Sequence, residues 1–158
     1  MTLKRRAEKA RTELFARYDQ LNSLWLKAEE RLTKNHVPLP VQHIYARYDS
    51  VEQQCYGVGE CECLGLQKIK GKWRICYGVY WFSRQPDADW VPITECSAET
   101  RVEAAKHLPG LEKAVIESAE KFIPRVDDAI QALTEALAQP DNLADLLAER
   151  ARLNGKAD

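Results

Sequence analysis

Three cysteines fall where one face of a hairpin would gather them: Cys61 and Cys63, two apart, and Cys76 beyond a turn. Residues two apart on a strand point to the same side, so three thiols would share a surface. Tetrahedral zinc would need a fourth ligand, from His43 or Cys55. The pattern is Cys-x-Cys followed by a lone Cys, whereas structural zinc sites draw on pairs about two to four residues apart. Cysteine is also among the residues most often buried as a small hydrophobe. Packing is therefore the expectation for these thiols, and no metal or other cofactor is expected.

A nucleophilic cysteine would need a histidine base. His36 falls in a helix-exit loop, His107 near a helix end and His43 on a strand, and no spacing pairs one of them with a thiol. There is no Gly-x-Ser-x-Gly or His-Glu-x-x-His pattern. Asp87 and Asp89 share a loop, and Glu60 and Glu62 flank Cys61, positions equally suited to a solvated surface. A metal-dependent nuclease hairpin would place a lysine two residues after Gln67, where Ile69 stands. Gly57-Val-Gly59 precedes no helix and is too short for a phosphate loop. No catalytic residue is assigned.

The elements that would position these side chains begin with a helix over 3–33. Its apolar residues step by threes and fours from Leu3 through Leu14, Leu21 and Trp25 to Leu32, with no Gly or Pro between. Pro38 and Pro40 end it. Val41–Tyr48 reads as a strand, and residues 51–59 carry no clear pattern. Two strand-like runs over 61–82 flank Lys70-Gly71, a two-residue hairpin turn. That turn pairs Ile69 with Lys72, Leu66 with Ile75 and Leu64 with Tyr77. One face is then Trp73, Ile75, Tyr77, Val79 and Trp81 with Leu64 and Leu66, a core to be covered by helices.

The opposite face carries Cys61, Cys63, Gly65 and Gln67 against Tyr80, Gly78, Cys76 and Arg74. Glycine inside strands marks close approach by another group. The four small residues Cys63, Gly65, Cys76 and Gly78 would leave a shallow groove walled by Tyr80, Arg74 and Gln67. Ser83–Asp89 reads as a loop and Trp90–Glu95 as a short edge strand with Pro92. Ser97 caps a helix over 98–107, and Pro109 starts another. The apolar stripe of that helix runs from Leu108 to Leu137, with a kink at Pro124. A last short helix follows Pro140-Asp141, and Asn154–Asp158 fray.

The fold class expected is α+β: an antiparallel three- to four-stranded meander with long N-terminal and C-terminal helices packed on one face, in a single domain over 1–158. The chain has 158 residues, 45% of them hydrophobic and 30% charged, a globular balance with net charge -1. Its five cysteines are an odd number, and the start Met1-Thr-Leu-Lys-Arg-Arg has no apolar run behind its basic residues. Free thiols, no secretory signal, no membrane span and a cytoplasmic location are expected.

Charge is unevenly spread. Residues 1–34 hold nine Lys/Arg against five acids, a net of +4, whereas 127–149 hold six acids and no Lys or Arg. The apolar stripes on both segments favour two helices that pack together with complementary charge over a free basic arm. The functional expectation is a non-enzymatic binding or interaction protein. It would work through the face of Cys63, Gly65, Gln67, Arg74, Cys76, Gly78 and Tyr80, toward another protein or a second copy. The alternative is a small-molecule-binding protein or small enzyme using the same face. A weaker one is nucleic-acid binding through Arg5, Arg6 and Lys9.

Overall fold

A computed structural model describes residues 2–34, 36, 38–48, 60–81, 89–138 and 142–155, with the side chains of Tyr48, Tyr80, Trp81 and Asn142 left undescribed. The order is α1 (Leu3–Lys34), β1 (Val41–Tyr48), β2 (Glu60–Ile69), β3 (Lys72–Trp81), β4 (Val91–Pro92), a 3₁₀ turn (Ile93–Glu95), α2 (Ala98–Ala105), α3 (Leu108–Ala138) and α4 (Asn142–Asn154). The strands form one antiparallel sheet in the order β1-β2-β3-β4. The class is α+β, with long N-terminal and C-terminal helices. By packing, the chain divides into two compact units, Met1–Ala119 and Glu120–Asp158.

The hairpin has the expected register: Ile69 opposes Lys72, Leu66 opposes Ile75 and Leu64 opposes Tyr77. Its turn has both central residues at positive φ, Lys70 at 48° and Gly71 at 83°. That geometry matches the right-handed twist of the strands, and Gly71 adopts it without the steric cost of a Cβ. β1 meets β2 through a bulge between Ile44 and Ala46, which leaves Tyr45 as the extra residue.

The main core lies on the expected face. Leu64, Leu66 and Ile75 are fully buried beneath Trp25 and Leu32 of α1 and Leu111 and Val115 of α3, with Trp73 and Tyr77 packed beside them. Ser97 caps α2, its Oγ accepting from the Thr100 amide at 3.2 Å.

Several expectations need correction. Trp90–Glu95 is not one strand: only Val91 and Pro92 pair with β3, at its edge, and Ile93–Glu95 turns as 3₁₀ helix. Proline has no amide to continue a ladder. α2 stops at Ala105 rather than 107. The two apolar stripes are not buried along their length. On α1, Leu3 and Leu14 are exposed while Trp25 and Leu32 are buried; on α3, Leu111 is buried while Ile130, Leu133 and Leu137 are exposed. Helices of 32 and 31 residues reach about 45–50 Å, whereas ten-residue strands span about 33 Å. α1 outruns the sheet it covers. Pro124 lies inside α3, which continues to Ala138. The expectations for residues 51–59, most of the Ser83–Asp89 loop and the Pro140-Asp141 restart lie outside the described residues.

One contact ties α1 to the sheet edge. Where β4 gives way to the 3₁₀ turn, the Ile75 amide donates to Glu29 Oε2 at 2.8 Å, and Arg74 Nε donates to Glu29 Oε1 at 2.8 Å. The second Arg74 arm donates to Thr94 Oγ1 at 3.2 Å. Glu29 thus replaces the missing ladder partner of a fully buried residue, which matters because an unpaired buried amide costs about 1–3 kcal/mol. Glu29→Ala is expected to destabilise the fold by about 1–3 kcal/mol and Glu29→Gln by less. Denaturant melts check this, and a loss below about 0.5 kcal/mol would mean that water satisfies Ile75.

Candidate functional site

The small-residue face lies as the register requires: Gly65 opposes Cys76 and Cys63 opposes Gly78. The groove expected there holds a side chain of the chain itself. A methyl group built on Gly65 would lie 2.7 Å from the ring of Trp90, and one on Gly78 would also lie 2.7 Å from it. Trp90 and Ile44 pack on Cys61 and Cys63, both fully buried. The strand glycines therefore make room for an indole delivered by the residue just before β4. Two glycines on adjacent strands, facing a tryptophan one step from an edge strand, are the signal in the sequence.

The other residues of that face are spread around it. Cys63 and Cys76 are fully buried. Arg74 reaches around the β3 edge to Glu29 and Thr94. Gln67 donates to the Val41 carbonyl at 3.3 Å. Tyr80 is paired with Cys61 along the ladder, and its side chain lies outside the description.

Burial favours the protonated form of Cys63, Cys76 and Cys96. Burial pushes Cys63 up to about 12, with neighbouring Cys61 and Glu62 adding to the shift. Burial likewise pushes Cys76 up to about 12, and raises Cys96. The Cys63 thiol donates to the Gly78 carbonyl at 3.2 Å. Nucleophilic attack needs the thiolate, which burial of these sulfurs disfavours. Cys61, Cys63, Cys76 and Cys96 are all free, and Cys55 lies outside the described residues. Among the described residues no group of three or more His, Cys, Asp or Glu is arranged to hold a metal ion.

His43, the alternative fourth ligand, sits on the other face. It opposes Leu64, and its ring packs so closely on the first turn of α3 that a methyl group at Gly110 would overlap it. Its ring centroid lies 6.3 Å from that of His107, and His107 stacks on Tyr45 at 4.0 Å and 7°. Nearby on the same sheet face, Tyr77 Oη donates to Glu62 Oε1 at 2.7 Å; burial and that hydrogen bond raise the phenol above its ordinary value. Sequence reasoning did not bring these rings together, because the Tyr45 bulge and the close approach at Gly110 are tertiary features. Burial lowers the His43 pKa, and the charge on His107 lowers it further.

A cavity of about 130 Å³ lies between α1 and the α2–α3 corner, lined by Leu21, Leu24, Trp25, Ala28, Ala105 and Leu108. Small-molecule pockets span roughly 300–1,000 Å³, so this space suits at most a small apolar group.

Two measurements check these assignments. Gly78→Ala should cost about 1–3 kcal/mol through overpacking, and less than about 1 kcal/mol in a Trp90→Ala background, where the opposing ring is gone. Equal costs in both backgrounds would show that Trp90 does not fill the notch. For His43, a nuclear magnetic resonance titration should find a midpoint below the ordinary value of about 6.5. The folded chain resists the proton that the unfolded chain accepts. Its stability from this group is therefore present above about pH 6.5 and is lost as pH falls toward the folded midpoint. A midpoint at or above 6.5 would remove the ring from its buried place.

No protein-family model matches the chain, and no curated protein or solved structure matches it either.

Proposed function

We propose that this chain is a non-enzymatic interaction protein that meets its partner through its helices, with the sheet face of Cys63, Gly65, Cys76 and Gly78 serving to seat Trp90. The observation that carries this reading is the exposed seam of α3. Ile123, Val126, Ile130, Leu133 and Leu137 are all exposed, and they alternate by three and four residues. They cover two seven-residue repeats of the pattern that helices use to pack on other helices. Scattered exposed leucines are ordinary, but a contiguous apolar seam marks an interaction surface.

The enzymatic and small-molecule alternatives have weaker support. The described thiols with resolved shifts are protonated, and the cavity beside Trp25 is small for a ligand. Nucleic-acid binding would rest on Arg5, Arg6 and Lys9 of α1, with no aromatic-basic interleaving beside them in the sequence. No helix among the described residues is long and apolar enough to cross a membrane.

The test is a pair of substitutions, Ile130→Ser with Leu133→Ser. If the seam faces a partner, the variant should keep its helix content and its monomer stability within about 0.5 kcal/mol, as exposed substitutions do. It should also lose the complex formed by the unchanged chain. A variant that unfolds in dilute solution would place the seam inside the fold and overturn the reading.

A further inference from the structure

The exposed half of α1 and the exposed acidic helices have matching chemistry. The +4 excess of residues 1–34 lies wholly in its first half: residues 3–17 hold six Lys/Arg against two acids, while 18–34 hold three of each. This is also the half that the core leaves uncovered, with Leu3 and Leu14 exposed and every residue of 3–17 open to solvent. Leu3, Ala7, Ala10 and Leu14 step by four, three and four, so they form one seam, and Lys4, Arg6 and Arg11 flank it. Among the described residues Lys4, Arg5, Arg6 and Arg11 make no ion pair.

The acidic counterpart lies on the second half of α3 and on α4. Ile130, Leu133 and Leu137 are exposed there, as are Leu143, Leu146 and Leu147. Asp127 and Glu149 flank these apolar positions, in a stretch of six acids with no Lys or Arg. Among the described residues Asp127, Asp128 and Asp145 make no ion pair either. One surface is apolar with a basic border, the other apolar with an acidic border.

We propose that the occupant of each is a second copy of this chain. The basic half of α1 from one copy would lie on the acidic α3–α4 surface of its partner, and the reverse contact would close a two-fold dimer. Two unlike patches on one chain close in this way when the exchange is reciprocal, without leaving a free end that could grow into a filament. Opposite charges bordering the two seams favour this pairing over acidic surface on acidic surface, because like charges across an interface repel. The inference rests on the helix-mediated interaction reading and names its partner.

Sedimentation of the full chain at tens of micromolar tests it. In about 0.1 M salt the mass should be twice the 18.1 kDa of one chain. It should fall toward one chain in about 1 M salt, where the screening length drops from about 10 Å to about 3 Å. Lys4→Glu, Arg6→Glu and Arg11→Glu together should give the single-chain mass with unchanged helix content, since all three positions are exposed. Adding Asp127→Lys and Glu149→Lys should restore the doubled mass. A single-chain mass at all salt concentrations would overturn the inference, whether the seams are then covered by the same chain or by a different protein. A doubled mass indifferent to the charge reversals would overturn it too, placing the contact elsewhere. The seam variant Ile130→Ser with Leu133→Ser separates the two levels. A single-chain mass of the unchanged chain, with that variant still folded, removes only the second copy, whereas unfolding of the variant removes the interaction reading itself.

Discussion

Strand β2 can be wetted on neither face, and the first unit is organised around that constraint. Leu64 and Leu66 are fully buried toward the helices, and Cys61 and Cys63 are fully buried on the reverse side. A strand dry on both faces needs hydrogen-bonded neighbours at both edges and a cover on each side. β1 and β3 supply the neighbours. On one side the covers are the second half of α1 and the first turns of α3. On the other, among the described residues, Trp90 and Ile44 pack on it. A large flat side chain fits there because the strands beneath it carry glycine and cysteine, leaving a recess about an indole deep. The same choice of small residues places Cys63 and Cys76 in a dry site, and burial raises their pKa values.

The edge of β3 poses the complementary problem. β4 pairs for only two residues, at Cys76 and Tyr77, and the neighbouring Ile75 is fully buried with an amide facing the gap. A carboxylate from α1 fills it and at the same time pairs with Arg74. Glu29 therefore fixes the height of α1 along the sheet, while Trp25 and Leu32 fix its distance through apolar contact. The Arg31–Glu112 pair and the Asn22–Arg101 hydrogen bond extend this anchoring to α3 and α2. Among the described residues the first half of α1 makes no such anchoring pair, and it carries the surplus of positive charge. Structural and electrostatic roles are thus divided along one helix.

Much of this architecture is legible from residue order. The 3.6-residue step of α1, the branched and aromatic run at Val41–Tyr48, the Lys70-Gly71 turn and the Ser97 cap are local codes. Each is set by neighbours a few residues away: backbone sterics at the turn, an orphan amide at the cap, periodic burial in the helix. The hairpin turn fixed its register outright, because a two-residue loop leaves no freedom for the strands to slip. The two faces of the hairpin followed from that register by alternation.

What the sequence by itself determined is therefore the α+β class, the hairpin with its two unlike faces, and the helices with their apolar stripes and opposed charges. What only the tertiary structure decided is what meets what. Alternation shows that Cys63, Gly65, Cys76 and Gly78 share a face, but not that Trp90 returns to cover it, because that contact joins residues far apart in sequence, which no local rule encodes. Helical periodicity shows that Leu14 belongs to an apolar stripe, but not that the core stops before reaching it. Periodicity is a property of one helix, whereas burial depends on how far a sheet of about 33 Å strands extends beneath a helix of about 45–50 Å.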